Sequence, residues 1–523
     1  MIRPISIALL LGLSSGTISA QNSPLSTGHQ LALQHCASCH QLPAPSLLTK
    51  QSWEFCLTYM GFFLGVDDRA SLQGEPPEVT TIIDARREFV QTASLYPATP
   101  SITASDWAIL RRYYLVNAPT VALPPPPKPE IQSNSSWFHP QPTQYRQPRA
   151  VTSLVKIDEE RHQLIIHDSL AETLTILDRD GDLIDQHASP GVALVDALFR
   201  GNDLYLLNIG DLFAARIGEG FGELQRARVA GGFLYGVKNL LTGLHRPSDL
   251  KLEDIDADGT EDALISNFGD YRGGLSLHWG SESGASFAST PTIVSHQPGI
   301  VECQVHDFNG DGLPDIAVLA SAAAENLSLF INQGDRTFRP QLIVSQHPSF
   351  GYTALKLRDM NNDGRMDIIT ANGDNGDSDP YNTLKRDQGI RIYLNQGELR
   401  FEEAYFYPMF GVFGVEIEDF DSDGDLDLAA VAFHPDFRPA QRESFVLLEQ
   451  VTPLNFLPQT HPATFSGRWM TLTSGDLDGD GDKDLVLGAG YSPVGMRIAH
   501  EELLKEMMTN GPSILVLENT TNP

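Results

Sequence analysis

A short cysteine-rich segment, CASCH at residues 36–40, could carry redox or metal chemistry near the start of the chain. Cys36 and Cys39 could form a redox dithiol, could bind zinc with two further ligands, or could attach a haem with His40 on the iron. A thioredoxin-type dithiol requires a βαβ context and a zinc site requires two more suitable ligands nearby, and the sequence around the segment has neither. Because C-x-x-C-H is the attachment pattern of c-type haem, the segment predicts one covalently bound haem c.

The residues around this motif resemble a class I monohaem cytochrome c domain over positions 24–118. The resemblance gives the two cysteines the thioether role and His40 the role of proximal iron ligand. Met60 is the sole methionine between the N-terminal apolar segment and the proline-rich linker, and it is the expected sixth ligand. It lies closer to His40 than is usual in the family, so Met60 could also be a plain core residue. His29 and His35 are the alternative ligands.

Five aspartate-rich nonapeptides form a second group of chemically active residues, and they begin at positions 254, 307, 359, 419 and 476. In the pattern D-x-[DN]-x-D-G-x-x-D, oxygens at alternate positions converge on one point as the glycine turns the chain. So many hard oxygen ligands favour calcium, and we expect about five Ca²⁺ ions. The predicted ligands are Asp254, Asp256, Asp258, Asp262, Asp307, Asn309, Asp311, Asp315, Asp359, Asn361, Asp363, Asp367, Asp419, Asp421, Asp423, Asp427, Asp476, Asp478, Asp480 and Asp484.

The aspartate loops share the front half of their spacing with the EF-hand, but a strand-like apolar run follows each loop and no glutamate stands at position twelve. The repeats resemble the FG-GAP or VCBS family, whose calcium-loop blades also occur in integrin α chains. This resemblance covers residues 245–523 and implies a β-propeller stabilised by calcium.

The period of the repeats predicts the number of blades. The loops begin 53, 52, 60 and 57 residues apart, which is typical of a repeat architecture. Two further units without the loop begin near residues 161 and 195. Dividing residues 150–523 into units of about 53 residues predicts seven blades, with six or eight as alternatives. The segment QPTQYRQPRA at 141–150 could supply the outer strand that the last unit lacks.

The N-terminal part of the chain has helical signals. Thr27 with Gln30, and Thr103 with Asp106, have the spacing of helix caps, and the three reactive residues of CASCH would share one helical face. A proline-rich segment at 118–130 then predicts an extended linker. The expected architecture is multidomain: a small all-α cytochrome c domain followed by an all-β propeller of seven blades with calcium loops. The expected boundaries are a signal peptide at 1–20, the haem domain at 21–118, the linker and a closing strand at 119–149, and the propeller at 150–523.

Composition limits the classes of partner. The formal net charge is -31, so nucleic acid is not an expected partner, because phosphate binding needs clustered Lys and Arg. The first twenty residues have the layout of a secretory signal peptide, and no later run approaches the roughly 20 apolar residues of a membrane span. We therefore expect an exported protein, periplasmic or extracellular, without a transmembrane segment.

The leading functional hypothesis is an electron-transfer protein, in which the haem exchanges electrons with a redox partner protein or a small electron donor or acceptor. The propeller would be the docking module, with a polysaccharide or a surface protein as further possible ligands. One alternative is an oxidoreductase whose propeller oxidises a small molecule and passes electrons to the haem. The other is a calcium-dependent adhesion protein. The sequence favours a carrier over an enzyme. Histidines near the blade junctions, at 187, 245, 296, 347 and 461, are interpreted as turn residues, with a ligand-binding rim as the alternative.

Overall fold

The structure is a computed structural model of the chain. It describes residues 24–37, 40–133, 136–189, 191–212, 222–269, 273–281, 286–322, 324–375, 379–438 and 443–521. Helices form the N-terminal part, called the head below, and strands form the rest. Within the described residues, no helix combines the length and the apolar character needed to cross a membrane.

Four helices make up the head: α1 (Pro24–His35), α2 (Lys50–Phe63), α3 (Pro77–Thr92) and α4 (Ala104–Asn117). The predicted cap of the last helix is confirmed, because the Thr103 hydroxyl accepts the Asp106 N–H at 3.1 Å. The predicted cap at Thr27 is wrong: α1 begins three residues earlier, at Pro24, and proline suits the first position of a helix.

The expectation that the CASCH residues share one helical face is also wrong. Helix α1 ends at His35, and the N–H groups of Cys36 and Ala37 both reach the carbonyl of Ala32. This widened turn ends the helix, and His40 lies beyond it in a bend. Prolines at positions 43 and 45 disfavour helical backbone just ahead of them, so the helix cannot run on past the motif.

The head has its own apolar core, and α1 crosses α4 at very short range. A Cβ atom added at Gly28 would lie 2.5 Å from the Cβ of Tyr113, so only glycine permits this approach. Trp53 of α2 and Tyr114 of α4 stack with ring centroids 4.3 Å apart inside the core. The Tyr114 hydroxyl donates to the carbonyl of Pro43 at 3.2 Å and the Trp53 indole to that of Pro45 at 2.7 Å, so these side chains hold residues 43–45 against the head.

Two short strands, β1 (Gln132–Ser133) and β2 (Phe138–Gln141), precede a ring of seven sheets. Blade 1 contains β3 (Thr152–Asp158), β4 (Gln163–Asp168), β5 (Thr173–Asp178) and β6 (Leu183–Ala188). Blade 2 contains β7 (Leu194–Arg200), β8 (Asp203–Asn208), β9 (Gly222–Ala230) and β10 (Phe233–Leu244). Blade 3 contains β11 (Pro247–Glu253), β12 (Asp262–Asn267), β13 (Gly274–His278) and β14 (Thr292–Ser295). Blade 4 contains β15 (Ile300–His306), β16 (Asp315–Ala320), β17 (Asn326–Asn332) and β18 (Phe338–Ser345).

Blade 5 contains β19 (Tyr352–Arg358), β20 (Asp367–Asn372), β21 (Gly389–Asn395) and β22 (Phe401–Pro408). Blade 6 contains β23 (Val412–Glu418), β24 (Asp427–Ala432), β25 (Phe445–Thr452) and β26 (Asn455–Thr460). Blade 7 contains β27 (Trp469–Gly475), β28 (Asp484–Ala489), the helix α5 (Glu501–Asn510) and β29 (Ile514–Asn519). The first strands of successive blades contact one another around the ring, and β27 contacts β3. The prediction of a seven-bladed β-propeller is confirmed.

Two segments from the linker complete the ring. Strand β2 pairs antiparallel with β29 and gives blade 7 its fourth strand, just ahead of the segment at 141–150 that the sequence suggested. Strand β1 pairs parallel with β26 and extends blade 6 to five strands. The linker itself lies on the propeller, because Lys128 Nζ donates to the carbonyl of Pro408 at 2.8 Å and sits over the Tyr407 ring.

The two ends of the strands carry different features. Each aspartate loop joins the first strand of a blade to the second, so all five loops lie at one end of the strands. The connections from second to third strands lie at the opposite end, and there the connections of blades 5 and 7 meet the head. The head and the aspartate loops are therefore on opposite faces of the propeller.

Candidate metal and cofactor sites

The first aspartate of each loop organises the turn. In blade 6, the two carboxylate oxygens of Asp419 accept the N–H groups of Asp423 at 3.1 Å and Gly424 at 3.0 Å. The glycine has a φ of 98°, which places it in the left-handed region that other residues adopt only with strain. The same pair of bonds is made by Asp254, Asp307 and Asp359. Hydrogen bonds from the backbone to the first carboxylate therefore shape each of these loops.

The last aspartate of each loop has a second role that the sequence did not reveal. Asp427 is the first residue of β24, and its two oxygens accept the N–H groups of Phe420 at 3.1 Å and Gln450 at 2.8 Å. Asp427 therefore ties the aspartate loop to the start of the second strand and to the end of the third strand of the blade. The equivalent residues in the other blades make the same bonds, and they are Asp262, Asp315, Asp367 and Asp484. All five are buried.

Three of the loops bring carboxylates close enough to share one metal ion. The triads Asp254, Asp256 and Asp262; Asp419, Asp421 and Asp427; and Asp476, Asp478 and Asp484 each place their oxygen atoms within 4.8 Å of one another. The loops of blades 4 and 5 have an amide, Asn309 or Asn361, where these three have their middle carboxylate. Carboxylate and amide oxygens are the donors that calcium prefers, so acidic groups of this kind could hold calcium.

The carboxylates of these triads are electrostatically crowded. Burial raises the pKa of Asp427 to about 7, and the charges of Asp421 and Asp423 act in the same direction. Burial likewise raises the pKa of Asp421 to about 6 and that of Asp484 to about 7. A divalent cation would relieve this crowding by stabilising all the charged forms together.

A cationic side chain from the neighbouring blade faces the loop of blade 3. Arg336, from the turn between the last two strands of blade 4, makes an ion pair with Asp256 and lies 4.0 Å from Asp258. The guanidinium also stacks over Trp279, with its carbon 4.2 Å from the ring centroid. The other oxygen of Asp256, Oδ1, is buried and has no hydrogen-bond partner among the described residues. An orphaned carboxylate oxygen inside a loop of this kind fits a metal ligand.

The structure describes part of the CASCH motif. Cys36 is half-buried and packs against the head core, whereas Cys39 lies outside the described residues. His40 Nδ1 lies 2.9 Å from the carbonyl oxygen of Gln41, and a proton donated there leaves Nε2 with the lone pair that a metal needs. Burial lowers the pKa of His40, which favours the neutral ring. These features fit a histidine ligand.

Met60 lies on α2, half-buried against the head core. Of its two rivals, His29 has its ring centroid 5.6 Å from that of Tyr113, so it packs on α4. His35 is the last residue of α1. The histidines at two blade junctions have local partners: His187 pairs with Asp185 at 2.7 Å, and His461 caps a 3-10 helix by accepting an N–H. The cap at His461 agrees with the interpretation of the junction histidines as turn residues, whereas His187 lies in strand β6 and His347 bonds to Asp387 of another connection.

The sequence did not reveal the contact between the head and the propeller. The hydroxyls of Ser52 on α2 and Thr383 in blade 5 lie 2.6 Å apart, and Ser52 also donates to Asp379 at 3.3 Å. The Tyr381 hydroxyl donates to Glu75 of the head at 2.8 Å. The Tyr381 ring packs against the head core. No local sequence pattern reveals such contacts, because the paired residues are more than three hundred positions apart.

The same face of the propeller holds ionisable side chains that do not follow the repeat. His347 Nε2 donates to Asp387 at 2.7 Å, and the Ser349 hydroxyl lies 2.8 Å from His347 Nδ1. Lys385 is buried, and Asn375 accepts a hydrogen bond from it. His434 is buried as well, and burial holds its pKa well below the usual range.

Comparison with known proteins identifies the repeats. The profile of the FG-GAP-like repeat family matches residues 254–318 and 307–370. These stretches are FG-GAP-like repeats. Each runs from the aspartate loop of one blade through the second strand of the next, so the repeat is offset from the blade. No curated protein matches the sequence.

Two solved structures align with the chain at low sequence identity. The WD40 domain of Neurospora crassa Pan2 aligns with a TM-score of 0.43 and 9% identity, over 74% of this chain and 97% of that one. The periplasmic gluconolactonase PpgL of Pseudomonas aeruginosa aligns with a TM-score of 0.38 and 14% identity, over 62% of this chain and 87% of that one.

Proposed function

We propose that the chain is an exported monohaem c-type cytochrome whose head is mounted on a calcium-binding β-propeller, and that it transfers electrons. The observation that carries the proposal is the C-x-x-C-H motif just beyond the end of α1, with His40 Nδ1 within hydrogen-bond distance of a backbone carbonyl. Cys36 and Cys39 would bind the haem vinyl groups, and His40 would bind the iron, with Met60 as the proposed second iron ligand.

The haem, when bound, would supply reversible one-electron chemistry at its iron. The role of the protein in that chemistry is to hold the His40 ring in position and to set the polarity around it. The Gln41 carbonyl orients the His40 ring and increases its basicity, as outer partners of metal-bound histidines do. Cys36 and Met60 pack against the buried core of the head, which includes Trp53 and Tyr114.

Calcium is proposed in all five aspartate loops, with the twenty loop residues predicted above as ligands. The crowded carboxylates of blades 6 and 7 and the orphaned oxygen of Asp256 support the proposal. Because every loop joins the first two strands of its blade, the ions would stabilise the propeller instead of reacting. A redox partner protein, or a small electron donor or acceptor, is the proposed partner.

One expression experiment tests the haem and the calcium separately. The chain is expressed in a host that attaches haem to exported proteins, and the purified protein is examined by a haemochrome spectrum under denaturing conditions and by metal analysis. We expect one covalent haem and about five calcium ions per chain. The Cys36→Ser variant should lose the two-thioether spectrum, whereas Cys56→Ser, which changes a buried thiol outside the motif, should keep it. A wild-type protein without covalent haem would contradict the cytochrome proposal.

A second candidate is an oxidoreductase in which the propeller oxidises a small molecule and passes the electrons to the haem. The ionisable side chains at the head-facing end favour it, since Lys385, Asp387, His347 and His434 break the symmetry of the repeat beside the head. Anaerobic reduction of the haem by small-molecule substrates would support this candidate. An adhesion protein would instead be captured on a polysaccharide in calcium and released by EGTA.

A further inference from the structure

The side of α2 that carries Met60, one of the proposed haem ligands, also carries a contact with the propeller. Ser52, Cys56 and Met60 follow one another at four-residue intervals along the same side of α2. Ser52 bonds to Thr383 of the propeller across a contact that is closed to water, because both side chains are buried. Cys56 is buried one turn further along, and Met60 follows at the next turn.

The propeller end that meets the head also carries His347, beside the blade 5 connection. The ring of His347 is held by Asp387 and Ser349, so its position is set by the propeller. The second and third strands of blade 5 are joined here, and the connection is longer than a tight turn.

The segment 379–388, the later part of this connection, is fixed to both parts of the protein. On the head side, Tyr381 packs against the core and donates to Glu75, which also accepts hydrogen bonds from Gln51 at 3.2 Å. On the propeller side, the Asp387 carbonyl accepts hydrogen bonds from Asn372 at 3.1 Å and from Arg391 at 2.9 Å, both residues of the blade 5 strands. A segment held at both sides can act as a rigid wall.

We propose that segment 379–388 of blade 5, together with His347, forms the propeller-side wall of the haem site. The inference rests on the proposed haem attachment. Large redox partners would be kept from the haem on this side, so electrons would reach it through the propeller wall or from the outer side of the head. The propeller would then shield the cofactor, in addition to any role in docking.

Redox probes of two sizes test the wall. Reduction of the ferric haem is followed by stopped flow with a free viologen radical and with the same viologen coupled to a large dextran; one electron passes from each radical to the iron. The variant Tyr381→Ala opens the wall, and Tyr381→Phe keeps the ring while removing the bond to Glu75. The control Tyr235→Ala changes a tyrosine that is exposed on the outer strand of blade 2.

In the wild type and in the Tyr235→Ala control, we expect the free viologen to reduce the haem much faster than the dextran-bound form. In Tyr381→Ala the advantage of the free form should fall several-fold, and the reduction potential should fall because water reaches the site. In Tyr381→Phe the ratio of the two rates should stay near that of the wild type, because the ring still packs against the head. An unchanged ratio of the two rates in a folded, haem-loaded Tyr381→Ala protein would overturn the inference.

Two further measurements keep the outcomes distinct. The haemochrome spectrum comes first, so a protein without haem contradicts the proposed function and not the wall. If Tyr381→Ala fails to fold, Thr383→Ala shortens the side chain that meets Ser52, and the advantage of the free viologen should again fall. Equal rates with both probes in the wild-type protein would also overturn the inference, because no wall would then separate the haem from large molecules.

Discussion

Replacing Asp421 by Asn tests whether the loop carboxylates repel one another without calcium. Asn is compatible with this position, since Asn309 and Asn361 occupy it in blades 4 and 5. The pKa of Asp421 is raised from 3.8 to about 6 by burial and by the neighbouring carboxylates. This rise corresponds to roughly 3 kcal/mol at about 1.4 kcal/mol per pKa unit. Solvent screening at a half-buried side chain reduces the effect on stability to about 1 kcal/mol.

The sign of the effect depends on pH and on calcium. A carboxyl whose pKa is raised in the folded state destabilises the fold as the pH rises through that pKa. In EGTA at pH 8, the Asp421→Asn variant should therefore be more stable than the wild type by about 1 kcal/mol. At pH 5 the difference should shrink, because Asp421 is then mostly protonated. With calcium the wild type should become the more stable protein, because the variant lacks one charged ligand. Calcium at a hundred times the Kd of a site stabilises the folded state by about 2.7 kcal/mol.

The assay is urea unfolding followed by circular dichroism, in EGTA and in calcium, at both pH values. The matched control is Asp256→Asn in the loop of blade 3, where the carboxylate pairs with Arg336. In EGTA this substitution removes an attraction, so it should destabilise the protein while Asp421→Asn stabilises it. If both variants destabilise the protein equally in EGTA at pH 8, the crowding argument is refuted. If calcium leaves the wild-type unfolding midpoint unchanged, the structural calcium proposal is refuted.

Three further predictions concern packing and burial. Gly28→Ala should destabilise the head by about 1–3 kcal/mol, because the new methyl group would overlap Tyr113, and a normal thermal unfolding profile would contradict the close crossing. Arg468→Met should cost roughly 3 kcal/mol of unfolding free energy, because the buried guanidinium donates to the carbonyls of several loop residues; a cost below about 1 kcal/mol in urea unfolding would show that water replaces it. Cys303 should resist a thiol reagent until the protein unfolds, since burial raises the pKa of its thiol, and rapid labelling of the native Cys36→Ser variant at Cys303 would contradict this burial.

Local patterns in the sequence were sufficient to predict the blades of the propeller. The aspartate nonapeptides and the apolar runs behind them lie within a few residues of each other, so their spacing predicts the loops, the buried strands and the seven-bladed ring. The cap at Thr103 was predictable for the same reason, because it depends on a residue three positions away. The predicted cap at Thr27 was wrong because a cap-like spacing also occurs inside a helix, here α1, which begins at Pro24.

The sequence by itself determined the candidate chemistry: the CASCH motif at 36–40, the oxygen ligands of the loops and the repeat that becomes a propeller. Only the tertiary structure decided how these parts meet. Ser52 reaches Thr383 across 331 positions, and Arg336 of blade 4 enters the loop of blade 3. Such contacts depend on how whole blades and helices pack, and no short-range periodicity encodes that packing. The physical reason is that a motif needs only its neighbours along the chain, whereas an interface needs the completed surfaces on both sides.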